Sequence, residues 1–347
     1  MQKAAVVILN WNGQQLLEQF LPALLIHTPA ETAELIIADN GSTDDSKSFL
    51  ATHYPQIRCI CFDKNYGFAE GYNRALAQLN HEYVVLLNSD VEVCSHWLDT
   101  AINYLDAHPE VSALQPKLLD YKDKTAFEYA GASGGFLDIY GYPFCRGRIF
   151  TTVEKDEGQY DSPSGVFWAT GACLFIRLKE YKEAGGLDGN FFAHQEEIDL
   201  CWRLKARGKK IVCLPQSKVC HVGGATLKME HPQKTFLNFR NNLLMVYKNL
   251  PEKYYRKVML FRLFLDHLAA LQFLLKGYPA NARSVLEARR DFNRQKKNYQ
   301  PVRKENLEKT KEELPSGLLL HSLLWKYYIQ NQKKYNQIFP NAEQTVK

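Results

Sequence analysis

Two short apolar runs each hand an aspartate to the end of what reads as a buried strand. Glu34-Leu35-Ile36-Ile37-Ala38 ends in Asp39, and Tyr83-Val84-Val85-Leu86-Leu87 ends in Asn88-Ser89-Asp90. Continuous apolar runs of this length suit strands covered on both faces of a parallel sheet. Ligands of open α/β sheets bind outside the carboxyl ends of the strands. Two acids delivered to that edge therefore point to a nucleotide site, and so to an enzyme.

The rest of the N-terminal third fits the same plan. Ala4–Leu9 reads as a first strand, turned by Asn10-Trp11-Asn12-Gly13, and Gln14 to Leu25 has helical spacing of its apolar residues. A helix is expected from about Asp44, a strand over Ile57–Phe62, a helix through Gly71 to Leu79 and a strand over Val84–Leu87. Strands alternating with helices imply right-handed crossovers and a mostly parallel sheet. Further on, Trp97–Leu105 reads as helix, and Val111–Leu114, Gly171–Ile176 and Ile211–Leu214 read as strands. Glu196–Ala206 reads as a helix closed by Gly208. Residues 120–165 lack a period and read as a loop-and-hairpin insertion, a lid over a second substrate. From about Phe236 long helices are expected, with Leu318–Tyr328 in the same apolar-basic style. The chain divides into residues 1–250 (halves of about 1–115 and 116–250) and a helical, basic extension, 251–347.

A net charge of +5 is too mild to imply nucleic acid. Its distribution is uneven, because nine Lys or Arg and only two acids lie between Lys276 and Lys304. The eight cysteines show no paired CxxC spacing, so free thiols in a reducing compartment are expected, without a zinc site. The apolar N-terminal run is too short for a signal segment, and no uncharged run of 18 apolar residues exists. The expectation is a cytosolic chain with no membrane span.

Four places carry candidate chemistry. Asp90 suits a hard divalent cation, which takes oxygen ligands from one or two carboxylates and from phosphates; alone, Asn88-Ser89-Asp90 reads as an Asx turn. Asp39 can accept from a base imide or a ribose hydroxyl, with Asn40-Gly41-Ser42-Thr43-Asp44 turning behind it; alone, this reads as a helix start. Glu196 and Glu197 open a helix, where one carboxylate can face a substrate as general base and the other pair or cap; alone, they read as a charged first turn favoured by the helix dipole. His221, beyond the last strand and before Gly223-Gly224, can complete a metal site or touch a phosphate; a lone histidine is more often structural.

Taken in order, Val6 to Asn12, Ala38 to Asp44, Asn65-Tyr66-Gly67-Phe68-Ala69-Glu70-Gly71-Tyr72-Asn73, Leu86 to Asp90 and Phe191 to Leu204 resemble the family 2 glycosyltransferases, most closely the rhamnosyltransferase-like enzymes of cell-surface polysaccharide assembly. The resemblance covers about residues 3–250. It implies a GT-A fold, a Rossmann-like α/β unit fused to an acceptor-binding half. It also implies inverting transfer from dTDP-rhamnose or a UDP-sugar to a saccharide or lipid-linked saccharide, assisted by Mn2+ or Mg2+. By the same resemblance Asp39 reads the donor base, with Asn10, Asn40 and Ser42 in the same motifs. Asn65, Gly67 and Asn73 lie beside the nucleotide. Ser89 and Asp90 form the metal motif, with His221 near metal and diphosphate. Gly171 and Ala172 line the donor sugar, and Glu197 is the base, with Glu196 the alternative.

Two positions depart from the family pattern. Ser89 replaces the acid or proline usual at the motif's centre, which leaves Asp90 to hold the metal nearly alone and implies weak metal affinity without donor. Glu197 stands where an aspartate is usual. In the extension, Phe261, Leu265, Leu268 and Leu275 can share one helix face beside the basic cluster, which suits a membrane surface or a hairpin packed on the catalytic unit. A sugar nucleotidyltransferase fits less well, since Val6–Gly13 has no Gly-rich, basic phosphate loop. A non-catalytic sugar-nucleotide-binding homologue is the other rival.

Overall fold

The computed structural model describes residues 2–223 and 231–340. Gly224 and the last seven residues of the extension, 341–347, lie outside the described residues.

The first 120 residues run β1 (Ala4–Asn10), α1 (Gln14–His27), β2 (Ala33–Asp39), α2 (Ser46–His53), β3 (Arg58–Cys61), α3 (Gly67–Leu76), β4 (Tyr83–Leu87), β5 (Val91–Val93), α4 (Trp97–Ala107) and β6 (Val111–Asp120). Next come the short strands β7 (Gly135–Asp138), β8 (Pro143–Cys145), β9 (Arg148–Ile149), β10 (Thr152–Val153) and β11 (Ser164–Gly165). The chain then forms β12 (Cys173–Arg177), α5 (Leu178–Glu183), α6 (Glu196–Ala206) and β13 (Lys210–His221). It finishes with α7 (Pro232–Asn249), α8 (Glu252–Leu275), α9 (Pro279–Gln295), α10 (Gln300–Glu308), β14 (Leu318–Leu319) and α11 (Tyr335–Ile338).

Nine strands form one sheet in the order β11-β13-β6-β12-β4-β1-β2-β3, with β5 also paired to β13. Both faces of the central strands are apolar. Ala5 and Val7 meet Ala69, Tyr72 and Leu76 of α3 on one side. Ala4, Val6 and Ile8 meet Leu17 and Leu21 of α1 and Leu98 of α4 on the other. This double cover is why the strands read as unbroken apolar runs. Among β1, β2, β3 and β4 the pairings with one another are all parallel, as the alternating pattern predicts. β12 runs antiparallel to both β4 and β6, so the whole sheet is mixed. β6 and β13 extend well past the predicted Leu114 and Leu214, pairing as far as Asp120 and His221.

Residues 131–149 are largely buried, and β7 to β10 join β14 in a second, five-stranded sheet. The aperiodic segment thus holds the expected hairpins, but they form a packed layer for much of its length. The sequence hides this because two- to four-residue strands are too short to show a period. Leu318–Tyr328 likewise holds β14 and a π-helical turn, Trp325–Ile329, instead of a long helix.

α6 is tied to α7 through charge. Asp199 accepts from Lys248 at 2.9 Å, Arg203 at 3.0 Å and Asn249 at 2.8 Å, all of them buried. Burial opposes ionisation of Asp199, but the two cations hold its carboxyl below the usual range.

α8 turns its polar side inward. Arg262 and Asp266 are buried and paired with one another, and Arg289 of α9 adds a second cation to Asp266. The expected face of Phe261, Leu265, Leu268 and Leu275 is split, since Leu265 is buried while Leu268 and Leu275 are exposed. The outward stripe is instead Leu260, Phe264, Leu268, Leu271 and Leu275, with Leu260 72% and Leu275 80% exposed. By length and composition alone, with a mean hydropathy of 1.7, α8 is long and apolar enough to cross a membrane. Arg262 and Asp266 interrupt its apolar sequence, so no uncharged run marks it.

Candidate active site

The tips of β1, β2 and β4 carry the polar residues that the strand pattern singles out. Asp39 is wholly buried. Its Oδ2 accepts from Asn10 Nδ2 at 3.2 Å, and its Oδ1 accepts from the Ser42 N–H at 3.0 Å. Asn10 also reaches Ser42 Oγ at 3.3 Å. Asn10 Oδ1 is buried with no partner and faces Gly13 near Ser89, so one acceptor at the edge stays unused. Beyond Asp39 opens a cavity of about 360 Å³ lined by Lys47, Leu50, Tyr54, Cys59 and Cys61 among others.

Asn40 links this edge to α3. Its Nδ2 donates to Asn65 Oδ1 and to the Gly67 carbonyl, both at 3.0 Å, while its Oδ1 accepts from the Tyr66 N–H. Gly67 has φ +79°, and a Cβ there would lie 2.5 Å from the Phe192 ring. Only glycine fits both the turn and the contact. The Phe192 carbonyl accepts from the N–H groups of Phe68 at 2.6 Å and Ala69 at 3.3 Å, closing the start of α3. Asn73 uses both ends of its amide on the backbone of Leu187, donating at 2.8 Å and accepting at 3.0 Å. It brackets α3 to the strand-to-helix connection.

Glu196 and Glu197 follow in the first turn of α6. A Cβ on Gly171 would lie 3.8 Å from Glu197 Cβ and 3.3 Å from the Phe68 ring, so residues 171, 68 and 197 meet. The Ala172 carbonyl accepts from the Asn88 N–H at 3.0 Å, which joins this group to the β4 tip. Each glutamate keeps a buried Oε2 without a partner. Burial pushes the half-buried Glu197 up to about 7. Burial, and then the Glu197 charge, raise Glu196 well above the carboxylate range. Two adjacent carboxyls with few donors cannot both ionise cheaply.

Asp90 and His221 are in contact, with Asp90 Oδ1 3.1 Å from Nε2. The other ring nitrogen, Nδ1, lies 3.1 Å from Glu128 Oε1, and Glu128 Oε2 accepts from the Ala130 N–H at 2.6 Å. Burial works against charging His221, but the two carboxylates outweigh it and raise the imidazole to about 10. Glu128 has no signal in the sequence, since it sits in an aperiodic segment and meets His221 only through the pairing of β6 with β13. Among the described residues no cluster of three or more His, Cys, Asp or Glu is arranged to hold a metal ion. Asp90 Oδ1 and His221 Nε2 therefore offer a set of two. That suits a cation completed by waters and phosphate oxygens, not a closed protein site.

Residues 5–159 match the family model described as Glycosyl transferase family 2. Among curated proteins the chain is 28% identical, over 232 residues, to the N-acetylglucosaminyl-diphospho-decaprenol L-rhamnosyltransferase of Mycobacterium tuberculosis, covering 62% of this chain and 75% of that one. It is 24% identical to rhamnosyltransferase WbbL of Escherichia coli K12, covering 68% and 89%. It is 26% identical to the O-antigen biosynthesis protein RfbC of Myxococcus xanthus, covering 66% of this chain but only 18% of that protein. Among solved structures it resembles GalNAc-T7 with UDP, GalNAc and Mn2+, with TM-score 0.58, 15% identity and coverage of 84% and 55%. It also resembles Staphylococcus aureus TarS 1-349 in complex with UDP-GlcNAc, with TM-score 0.53, 14% identity and coverage of 89% and 93%. At these identities the structural likeness is one of GT-A fold.

Proposed function

We propose that this chain is a family 2 glycosyl transferase that moves a sugar from a nucleoside-diphosphate donor, dTDP-rhamnose or a UDP-sugar, to a saccharide or lipid-linked saccharide of the cell surface. The rhamnosyltransferases among its relatives support that reading of donor and acceptor. The observation that carries it is Glu197, half-buried beside Gly171 with an unpartnered Oε2, next to Ala172, whose carbonyl is bonded to the β4 tip.

In this reading Asp39 and the Asn40–Asn65 pair hold the nucleoside, while Gly171 lets the donor sugar approach the backbone. Glu197 takes the proton of an acceptor hydroxyl, whose oxygen attacks the anomeric carbon. The new C–O bond forms as the bond to the diphosphate breaks on the opposite face, and configuration inverts. A carboxyl held near pH 7 is well matched to this task at neutral pH. Glu196 is enclosed more deeply, which favours Glu197 as the base. Asp90, and His221 once its Nε2 proton is displaced, would hold Mn2+ or Mg2+, which when bound offsets charge on the leaving diphosphate. Glu128 would hold His221 Nδ1, leaving Nε2 toward Asp90.

The outward apolar stripe of α8, with Lys257 at its edge and the basic residues of α9 nearby, supports contact with an anionic membrane at its cytoplasmic face. That location fits a lipid-linked acceptor, and all eight cysteines are free thiols.

The test is release of nucleoside diphosphate from dTDP-, UDP- and GDP-sugars with Mn2+ and a lipid-linked saccharide. One donor turned over supports the proposal; binding without turnover of any donor contradicts it. Flotation with anionic vesicles, with and without serine at Leu260, Phe264 and Leu268, tests the membrane contact in parallel.

A further inference from the structure

Three consecutive residues of α7 grip the segment that leads into α6. Arg240 Nη2 donates to the carbonyls of Asn190 at 3.0 Å and Phe191 at 3.1 Å. Asn241 is wholly buried, and its Nδ2 lies 3.0, 2.9 and 2.8 Å from the carbonyls of Phe191, Ala193 and His194. Asn242 Nδ2 donates to Gln195 Oε1 at 3.0 Å and to the Gly141 carbonyl. An amide NH2 has two protons, so three carbonyls share two donors.

The gripped backbone is strained. Phe192, His194 and Gln195 have φ of +65°, +72° and +73°, in the left-handed region that side chains resist. Three such residues within four persist only where their surroundings over-determine them. The start of α6 has no side-chain cap, so helix initiation does not account for the strain. The segment instead joins two parts of the site. Its Phe192 carbonyl closes α3 beside Asn65 and Gly67, and its other end sets where Glu196 and Glu197 leave the helix.

We infer that Asn241 is a positioning residue for sugar transfer: its carboxamide holds residues 191–194, left-handed at Phe192 and His194, in the path that directs Glu197 toward Gly171. The inference rests on the reading of Glu197 as base. Asn241 acts only through the backbone it holds. Asn241 holds the carbonyls of Phe191, Ala193 and His194 and not that of Phe192, which closes α3 on the donor side, so its loss falls more on turnover than on donor binding.

The experiment compares wild type, Asn241→Ala, the pair His194→Gly with Gln195→Gly, and the triple variant, measuring kcat, donor KM and melting temperature. Asn241→Ala is expected to lower kcat roughly 10²-fold, the cost of misplacing a reacting group by about 1 Å. Donor KM should stay within about threefold. Glycine takes positive φ freely, so the triple variant should recover about tenfold of the lost kcat. An unchanged kcat in Asn241→Ala, or a loss the glycines do not recover, overturns the inference. Should Asn241→Ala not fold, the triple variant is compared with the glycine pair. A kcat roughly three- to tenfold lower supports the inference, and an equal kcat overturns it. Glu197→Gln in parallel separates the two readings. Full activity there refutes the base assignment itself, whereas its loss beside an intact Asn241→Ala refutes only the positioning role.

Discussion

Replacing Glu197 by Gln should slow the enzyme and stabilise the protein at the same time. Burial raises the Glu197 carboxyl from an ordinary 4.5 to about 7. At about 1.36 kcal/mol per pH unit, that gap corresponds to an ionisation cost of ~3 kcal/mol, and sharing with Glu196 reduces the expected effect to ~1–3 kcal/mol. The sign follows from proton counts. Between pH 4.5 and about 7 the folded chain keeps a proton on Glu197 that the unfolded chain has lost. Stability from this group therefore falls as pH rises through that window. Gln carries no such proton. The variant should be ~1–3 kcal/mol more stable than wild type at pH 8.5, and the difference should close toward pH 4.5. Urea denaturation at the two pH values measures it. In the same variant kcat should fall roughly 10²–10⁴-fold with donor affinity nearly intact. A variant less stable than wild type at pH 8.5, or a gap independent of pH, refutes the account of Glu197 as a carboxyl held in a costly site.

With saturating substrates, kcat should fall about tenfold per pH unit below about pH 7, where Glu197 takes up its proton; a profile flat to pH 5.5 contradicts this. Glu128→Gln should weaken Mn2+-dependent binding of nucleoside diphosphate by roughly 10–100-fold, the usual effect of removing a partner that orients a metal-binding histidine. An unchanged Mn2+ titration tells against that role. Asp199→Ala leaves Lys248 and Arg203 buried beside a missing partner and should cost ~3–5 kcal/mol in chemical denaturation, whereas a cost below ~1 kcal/mol means the cluster relaxes.

What the sequence reveals here is what short-range pattern can encode. Asp39 and Asp90 stand out because each ends an apolar run, and a run covered on both faces must stop where the sheet edge meets solvent. Gly67 and Gly171 are visible as small residues in distinctive motifs, and the structure shows what each accommodates. The antiparallel course of β12 is not visible, because direction depends on the long excursion before it. Glu128 meets His221 only across paired strands, and Asn241 reaches residues 191–194 from a helix some 50 positions along the chain. α8 misleads for a similar reason. Arg262 and Asp266 look like interruptions of an apolar face until α7 and α9 bury them, and the apolar residues then turn outward.

The anomeric configuration of the transferred sugar, read by proton NMR of the product formed with the preferred donor, tests the whole arrangement most directly. Direct displacement assisted by Glu197 requires a linkage of configuration opposite to that in the donor. A product that keeps the donor configuration would contradict it.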